Sequence, residues 1–342
     1  MNVKRVITED IEIIETIESH TAGEPLRVIV KGLPNIEGDT ILEKRSFVKE
    51  NFDEIRRGLM LEPRGHPDMY GAIITEPTTP DGDIGVIFIH NDGYSTMCGH
   101  GIIALTKVIL DKRIIDKEGD NPEINYDTPA GRVKASAKIE DGKVVEVSFL
   151  NVPSFVYKDS LSIWTSEFGK IDFDIAFGGA FYAYLPVDQI ELKINQKNHD
   201  KFVKIGRKIK KMISKKYEIK HPYEDDLGFL YGTIFIGPPS DPSNHSRNVC
   251  VFADGEVDRS PTGTGVSGRA AIHYSRGEIH KGEMITIESI LGTTFDVEVV
   301  KTTKFRNFEA IIPKVTGGAY ITGQSKYYFD PDDPLKHGFM LR

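Results

Sequence analysis

The chain has 342 residues, a length that favours two domains over one. Apolar residues make up 39% of it, and the 32 glycines raise this fraction to about 48%, the composition of a globular protein with a sizeable core. The 43 basic and 51 acidic residues give a net charge of −8. This charge argues against binding to nucleic acid or to an anionic membrane, and a small-molecule partner is predicted.

The sequence contains no apolar run of the roughly 18 residues that a membrane-spanning helix needs, and its first residues lack the apolar core of a signal peptide. We therefore predict a cytoplasmic protein with no membrane contact. Its two cysteines, Cys98 and Cys250, form neither a disulfide framework nor a CxxC pair. No HExxH or HxH motif and no histidine–cysteine cluster predicts a metal site.

Short apolar segments separated by turn residues dominate the chain and predict strands. In the segment 145–149, apolar Val145, Val147 and Phe149 alternate with polar residues, which is the period of a sheet with one solvated face. The sheets are therefore expected to be antiparallel. The predicted strands lie at 25–32, 85–93, 144–153, 248–255, 296–302 and 308–314.

Two amphipathic segments predict surface helices. Residues 201–220 place apolar side chains at helical spacing and carry nine basic residues. We interpret the basic residues as a solvated helix face rather than as a nucleic-acid site. A shorter helix is predicted over 49–59.

Two further helices are predicted to begin at glycine-rich turns, one after Cys98 and the other after Thr262. The first is apolar nearly all round and the second is rich in small residues, which suits helices enclosed by a sheet. Their starts are 164 residues apart. We therefore predict two similar β-rich domains, with both helix starts facing a crevice. The first domain covers 1–145 and is completed by 320–342, and the second covers 146–319.

A helix N-terminus carries unpaired N–H groups and a partial positive charge, so it binds carboxylates and lowers the pKa of a thiol placed there. At the first helix start, Cys98 and His100 provide a thiol and an imidazole, which predicts a base beside an anion-binding nest. At the second, Thr262 provides a hydroxyl, with Asp258 four residues upstream. Two such nests facing one another are expected to hold an amino acid by its carboxylate.

Five sequence motifs, quoted below in chain order, resemble those of the proline racemase superfamily and together span almost the whole chain. The resemblance implies an α/β fold of the diaminopimelate epimerase type, with two pseudo-symmetric domains, each wrapped around a central helix, and an active site in the crevice between them. It also implies an enzyme without a cofactor. The motifs are SHTAGEPLRV at 19–28, EPRGHPDMYGA at 62–72, MCGHG at 97–101, GGAFYA at 178–183 and DRSPTGTG at 258–265.

The resemblance also implies roles for individual residues. Cys98 is implied to be a catalytic base. Asp258 and the His100 side chain are implied to hold the ring nitrogen of a proline-like substrate, and Tyr70 and Phe252 to form aromatic walls, although family members more often have Phe at the first of these two positions. The amides implied to hold the substrate carboxylate are those of Gly99, His100, Gly263 and Thr264.

One departure from the family pattern decides the predicted reaction. Racemases and epimerases of the superfamily have a second thiol in DRSPCGTG, where this chain has Thr262. Inversion needs two groups that exchange a proton near neutral pH, and a threonine hydroxyl does not lose its proton there. We interpret Cys250, 12 residues before Thr262 in a strand-like segment, as a core residue rather than as a replacement base.

A single base that removes the α-proton supports β-elimination when a hydroxyl lies on the neighbouring ring carbon. In trans-3-hydroxy-L-proline the α-hydrogen and the hydroxyl share one ring face, so Cys98 is predicted to drive a syn elimination of water that yields Δ1-pyrroline-2-carboxylate. Either Cys98 or His100 is the predicted acid for the departing hydroxyl. Superfamily members with Thr in place of the second Cys resemble this sequence and are dehydratases of this kind.

Three further interpretations of the sequence remain open. The segment GTGVSG at 263–268 fits the GxGxxG pattern of a dinucleotide-binding oxidoreductase, but the polar segment before it is unlike the strand that this motif needs. The second interpretation is a racemase or 4-hydroxyproline epimerase with a different second base, and the third is a non-catalytic amino-acid-binding protein. The sequence leaves open the choice among proline and the two hydroxyprolines, and it leaves open a homodimer.

Overall fold

The computed structural model describes residues 13–341, which form 18 strands and five α-helices in a mixed α/β fold. The chain separates into two compact units. The first contains the described residues up to Met97, then Gly101–Val147, and the residues from Gly318 onward. The second contains Cys98–His100 and Ser148–Gly317.

The elements of the first unit are numbered in chain order. Two elements cross the boundary, because the first two residues of α3 and the last three of β8 group with the second unit. The elements are β1 (Ile13–Thr21), β2 (Glu24–Lys31), α1 (Ile41–Asn51), α2 (Asp53–Met60), β3 (Tyr70–Thr75), β4 (Ile84–His90), β5 (Gly93–Ser95), α3 (Gly99–Asp111), β6 (Glu123–Thr128), β7 (Gly131–Glu140), β8 (Lys143–Leu150) and β18 (Ala319–Tyr328).

The second unit contains the remaining elements. They are β9 (Ser154–Thr165), β10 (Gly169–Phe177), β11 (Phe181–Pro186), α4 (His199–Lys216), β12 (Leu230–Gly237), β13 (Ser246–Phe252), β14 (Glu256–Val257), α5 (Gly263–Ser275), β15 (Met284–Glu288), β16 (Thr294–Phe305) and β17 (Phe308–Gly317).

The strands of the second unit form a closed sheet around α5. They pair in the order β9, β10, β11, β12, β13, β15, β16 and β17, and β17 returns to β9 through Ala310 and Phe155. Residues 263–272 of α5 are all buried, which explains why the helix is built from small residues. At Gly268, for example, a Cβ atom would overlap the hydroxyl of Tyr184.

The strands of the first unit pair in the order β18, β1, β2, β3, β4, β6 and β7, with β5 paired to β4. Its core includes Val48 of α1, Leu59 of α2 and Phe52 between the two helices, and all three are almost completely buried. The apolar side chains of α3 from Ile102 to Ile109 are also inaccessible to solvent. Both predicted central helices are therefore enclosed.

The expectation of antiparallel sheets is right for most pairs and wrong for four. The pairs β2–β3, β4–β6, β11–β12 and β13–β15 are parallel. Each parallel pair is joined by a segment that contains at least one helix, because parallel neighbours need a crossover connection. The alternating pattern of a single strand does not report the direction of its neighbour.

The same pairing pattern occurs in each unit. In the first, β4 pairs antiparallel with the short β5, and the chain passes through α3 before β6 pairs parallel with β4. In the second, β13 pairs antiparallel with the short β14, and the chain passes through α5 before β15 pairs parallel with β13. Each central helix therefore starts after a short return strand.

Two local predictions are wrong. The helix predicted over 49–59 is two helices, because the backbone leaves the helical region at Phe52, which has φ −132° and ψ 16°. In β8, Val145 is 46% exposed and Val144 is buried instead, while Val147 and Phe149 are buried as predicted. Regular alternation begins only at Val147, the residue at the boundary of the two units.

The basic segment 201–220 forms α4 as predicted, with bounds shifted by a few residues. Its buried face includes Phe202, Ile205 and Ile209, and it packs on β12 and β13. Among the described residues, no helix is long and apolar enough to cross a membrane.

Candidate active site

Helix α5 begins at a residue with an unusual backbone conformation. Thr262 occupies the N-cap position with φ 71° and ψ 94°, and its side chain makes no capping hydrogen bond. A positive φ is strained for a β-branched residue, and such strain is concentrated at functional sites. The first intrahelical bond runs from Val266 N to the carbonyl oxygen of Thr262 at 2.7 Å. The preceding N–H groups of the first turn have no partner inside the helix.

A comparison with α1 shows what is missing at α5. Thr40 caps α1 by accepting a hydrogen bond from Glu43 N at 3.1 Å, and the Glu43 carboxylate accepts one from Thr40 N at 3.0 Å. Thr262 has the same residue type as Thr40, but with its positive φ it makes no capping hydrogen bond. The N–H groups of Gly263 and Thr264 are therefore left uncapped at a positively polarised helix end, which is suited to an anion.

The loop 258–262 places a carboxylate next to this helix start. Asp258 N donates to the carbonyl oxygen of Cys250 at 3.2 Å, which anchors the loop to β13. Asp258 Oδ1 accepts a hydrogen bond from Ser260 N at 2.7 Å, and Ser260 Oγ accepts one from Thr262 N at 3.1 Å. The loop is thus held by its own polar groups, and Asp258 and Thr262 are both buried.

Burial raises the pKa of Asp258 to about 6, although the hydrogen bonds from Ser260 oppose the shift. The nearby Thr262 hydroxyl also favours the ionised carboxylate. Its Oγ1, however, forms no hydrogen bond of regular geometry with any residue that the structure describes. The site therefore contains a carboxylate that is ionised at neutral pH, beside a buried hydroxyl still able to bond a ligand.

Helix α3 begins with a thiol and an imidazole in contact. Cys98 Sγ lies 3.2 Å from Nδ1 and 3.5 Å from Nε2 of His100, and both side chains are buried. Either ring nitrogen can exchange a proton with the thiol, depending on the tautomer. The pair can therefore act as a base in its thiolate form and as an acid once the thiol has taken up a proton.

The two helix starts touch at a pair of glycines. A Cβ atom on Gly99 would lie 2.5 Å from the Cα atom of Gly263, and one on Gly263 would lie 2.6 Å from the Cα atom of Gly99. Any side chain at either position would separate the backbones. This contact brings Cys98 and His100 to the start of α5, where Asp258 and Thr262 lie.

The remaining predicted site residues are aromatic. Phe252 ends β13 and is buried, with its ring centroid 5.4 Å from that of Tyr231. Tyr70 starts β3 in the first unit, stacks on His90 at 5.7 Å and shares a short hydrogen bond with Ser95 Oγ. Cys250 is wholly buried in β13, as predicted for a core residue.

Sequence reasoning missed two residues that contact the start of α5. The hydroxyl of Tyr182 lies 2.8 Å from Thr264 Oγ1, and the hydroxyl of Tyr184 donates to the carbonyl oxygen of Gly265 at 2.9 Å. Tyr182 belongs to the GGAFYA motif, so its position was marked, but nothing in the motif indicated a contact 82 residues further along the chain.

The dinucleotide-binding interpretation fails on its structural context. That motif needs a strand that runs directly into the glycine turn. Here β14 ends at Val257, and the loop 258–262 separates it from Gly263. The glycines of 263–268 instead serve the contact with Gly99 and the packing inside the closed sheet.

Replacing Asp258 by Asn is expected to stabilise the fold at neutral pH. The folded-state pKa of about 6 lies above the ordinary value of 3.8, so the unfolded chain loses this proton first as pH rises. The ionised carboxylate therefore costs roughly 3 kcal/mol of stability, a cost that develops between about pH 4 and pH 6 and persists above it. Urea unfolding of Asp258→Asn and wild type at pH 4.5 and pH 8 measures the difference.

We expect an advantage for the variant of about 1 kcal/mol at pH 4.5 and of about 3 kcal/mol at pH 8. The control is Asp159→Asn, which changes an exposed carboxyl group of the same unit and is expected to change the free energy of unfolding by less than about 0.5 kcal/mol. Equal stabilities of Asp258→Asn and wild type at both pH values would contradict a buried, strained carboxylate.

The chain is similar to proteins of known family. A trans-3-hydroxy-L-proline dehydratase of Colwellia psychrerythraea is 48% identical over 96% of this chain and 93% of that protein. A proline racemase of Clostridioides difficile is 42% identical over 96% of this chain and 98% of that protein. A crystal structure of a hydroxyproline epimerase from Agrobacterium vitis, with bound trans-4-OH-L-proline, superposes with a TM-score of 0.92 at 31% identity. The superposition covers 96% of this chain and 95% of the epimerase chain.

The structural match confirms the predicted mixed α/β fold. The family model described as proline racemase matches residues 16–340, which is nearly the whole chain. The motifs quoted from the sequence predicted this match. The chain belongs to the proline racemase family.

Proposed function

We propose that the protein is a trans-3-hydroxy-L-proline dehydratase that uses Cys98 as its base. The observation that carries the proposal is the pairing of Cys98 with Thr262 across the Gly99–Gly263 contact. A cysteine that touches a histidine can take a proton at neutral pH, whereas a threonine hydroxyl cannot. The relative of 48% identity that is named for this activity gives independent support.

In the proposed complex, the substrate carboxylate accepts hydrogen bonds from the amides of the two helix starts. The ionised Asp258 and the side chain of His100 hold the ring nitrogen, and Phe252 and Tyr70 are the proposed aromatic contacts. Two facing helix N-termini stabilise a carboxylate by their partial positive charges. The amides are those of Gly99, His100, Gly263 and Thr264.

The reaction is a β-elimination. The thiolate of Cys98 takes the α-proton, and the electron pair of the broken C–H bond forms a double bond between C2 and C3. The C3–O bond breaks, and the hydroxyl leaves as water after it accepts a proton. The enamine product tautomerises to Δ1-pyrroline-2-carboxylate, so the balance is one substrate to one imine and one water.

The departing hydroxyl needs an acid on the face from which the α-proton was removed. The α-hydrogen and the hydroxyl of trans-3-hydroxy-L-proline share one face, so the Cys98 thiol can return the proton that it took. His100, whose ring nitrogens lie 3.2 and 3.5 Å from Sγ, is the other candidate. The chemistry needs only these acid–base groups and no cofactor.

We propose a diaminopimelate epimerase-like fold with two pseudo-symmetric domains, 1–145 completed by 320–342, and 146–319. The repeated pairing pattern around α3 and α5 supports the similarity of the two halves.

Racemisation or epimerisation is the second candidate, because the relative of 42% identity is named a proline racemase. That activity would require a second base other than Thr262. Incubation in D2O with trans-3-hydroxy-L-proline, L-proline and trans-4-hydroxy-L-proline in separate samples distinguishes the candidates by proton NMR. We expect imine from the first substrate alone. Inverted, deuterated proline or 4-hydroxyproline would overturn the proposal, and unchanged substrate in all three samples would favour a binding protein.

Replacing Thr262 by Cys is expected to introduce a second base. The buried hydroxyl is then exchanged for a thiol of similar size, and the α-proton can be returned to the opposite face. We expect α-carbon inversion of trans-4-hydroxy-L-proline at a rate at least about tenfold above wild type, measured by chiral chromatography. Thr262→Ser, which keeps a hydroxyl, is the matched control and is expected to show none. A folded Thr262→Cys protein without inversion would count against this role for the position.

Replacing Gly263 by Ala is expected to lower kcat/KM about 100-fold. Ordinary Cβ contacts begin at 3.4 Å, so the two helix starts would have to separate by about 0.8 Å. Misplacement of catalytic groups by about 1 Å can reduce a rate about 100-fold. The matched control is Gly323→Ala, where a Cβ atom meets nothing within 4 Å. Full activity of a folded Gly263→Ala protein would show that the glycine contact is not needed.

A further inference from the structure

The GGAFYA motif at 178–183 leads into β11 and lies against the first two turns of α5. A Cβ atom on Gly178 would overlap the carbonyl oxygen of Thr264 and lie 2.6 Å from Gly268 N. The backbone of the motif therefore touches the backbone of the helix, an approach that only glycine permits. The residues that follow in β11 have their side chains directed at the same part of α5.

Tyr182 and Tyr184 are two residues apart on β11, so their side chains lie on one face of the strand. The Tyr182 hydroxyl shares a hydrogen bond with Thr264 Oγ1 at 2.8 Å, and the Tyr184 hydroxyl donates to Gly265 O at 2.9 Å. Both side chains are almost completely buried. Phenylalanine would fill the same space, so the hydroxyls are what connects the sheet to the helix.

These bonds leave the N–H groups of the first turn open. At α1 the side chain of the cap residue Thr40 accepts the hydrogen bond of one first-turn N–H group, that of Glu43. At α5 the tyrosines bond the side chain of Thr264 and the carbonyl of Gly265 instead. The first turn is therefore fixed from outside, and its N–H groups remain available to a carboxylate.

The hydroxyl groups of Tyr182 and Tyr184 stay protonated at neutral pH. Burial raises the pKa of Tyr182 and of Tyr184 well above the ordinary value of 10.0. A buried hydroxyl that lost its partner would be costly, so each tyrosine holds its bond persistently.

A second connection fixes the same turn from another element. Asn151 Nδ2 donates to Gly178 O at 2.7 Å and to Ser267 Oγ at 2.8 Å, and Ser267 Oγ donates to Gly263 O at 2.8 Å. All of these groups are buried within the second unit. The carbonyls of Gly263 and Gly265 and the side chain of Thr264 are thus each held from outside the first turn.

We propose that Tyr182 and Tyr184 are positioning residues that orient the first turn of α5 so that its N–H groups bind the substrate carboxylate. The inference rests on the proposed function, which places the carboxylate at these N–H groups. Neither tyrosine touches the substrate or takes part in proton transfer. Their hydroxyls act through Thr264 and Gly265.

The test is the steady-state kinetics of Tyr182→Phe and Tyr184→Phe with trans-3-hydroxy-L-proline. The substrate carboxylate is bound equally in the ground state and in the transition state. A poorly oriented first turn therefore weakens substrate binding without slowing the chemical step. We expect each variant to raise KM about five- to tenfold, with kcat within about twofold of wild type. Unchanged KM in a folded Tyr182→Phe protein would overturn the assignment, and so would a loss confined to kcat.

Tyr126→Phe is the matched control. Its hydroxyl makes the same kind of bond, 2.9 Å from Thr106 Oγ1, in the interior of α3 rather than at a helix start. It is expected to lower stability without raising KM. An equal rise in KM for Tyr126→Phe would mean that any lost buried hydroxyl bond weakens binding, which would overturn a specific role for β11.

A double-mutant cycle with Thr264→Val separates positioning from general packing. Thr264→Val keeps the backbone N–H but removes the partner of Tyr182. If the hydrogen bond between Tyr182 and Thr264 orients the first turn, the double variant raises KM no more than either single variant. Additive effects of the two substitutions would overturn the inference. Failure of the proposed function is seen separately, in the products of wild type. If wild type inverts proline instead, the same variants are assayed with proline, which presents the same carboxylate.

Discussion

The contact between Gly99 and Gly263 is the constraint on which the candidate site depends. It brings together two helix N-termini, whose partial positive charges repel one another unless an anion lies nearby. The same contact excludes every side chain from the place where the N–H groups converge. In the proposed function, a carboxylate bound at the two helix starts offsets this repulsion and accepts hydrogen bonds from the first-turn amides.

The second unit bears the cost of this arrangement. Thr262 has a strained backbone, and Asp258 is a buried carboxylate with a raised pKa. Both features destabilise the fold, and they persist because a closed sheet encloses α5 and the loop before it is fixed by Ser260 and by β13. The strained backbone of Thr262 and the buried charge of Asp258 lower the stability of the fold, and the packing around them compensates for this loss.

A structural feature could be predicted from the sequence when the residues that determine it are close together in the chain. The two central helices were predictable, because the glycines and apolar residues that define them are contiguous. The parallel pairs were not, because strand direction is decided by crossovers rather than by the alternation within a strand. Thr262 has the residue type of an N-cap, and only its positive φ shows that it does not cap. Tyr182 was missed because its partner Thr264 lies 82 residues away, and nothing in the sequence marks the two side chains as a pair.

Under the proposed function, the side chain at position 262 decides between inversion and elimination. In the proposed function, the helix starts and Asp258 bind the cyclic amino acid, and the Cys98–His100 pair removes its α-proton. A second thiol opposite Cys98 would return a proton to the other face of the carbanion. With Thr262 in that place the proposed mechanism has no such proton, so the carbanion either regains its proton from Cys98 or expels a group from the neighbouring carbon. A hydroxyl at C3 is such a group, and its loss makes productive a proton abstraction that would otherwise only be reversed.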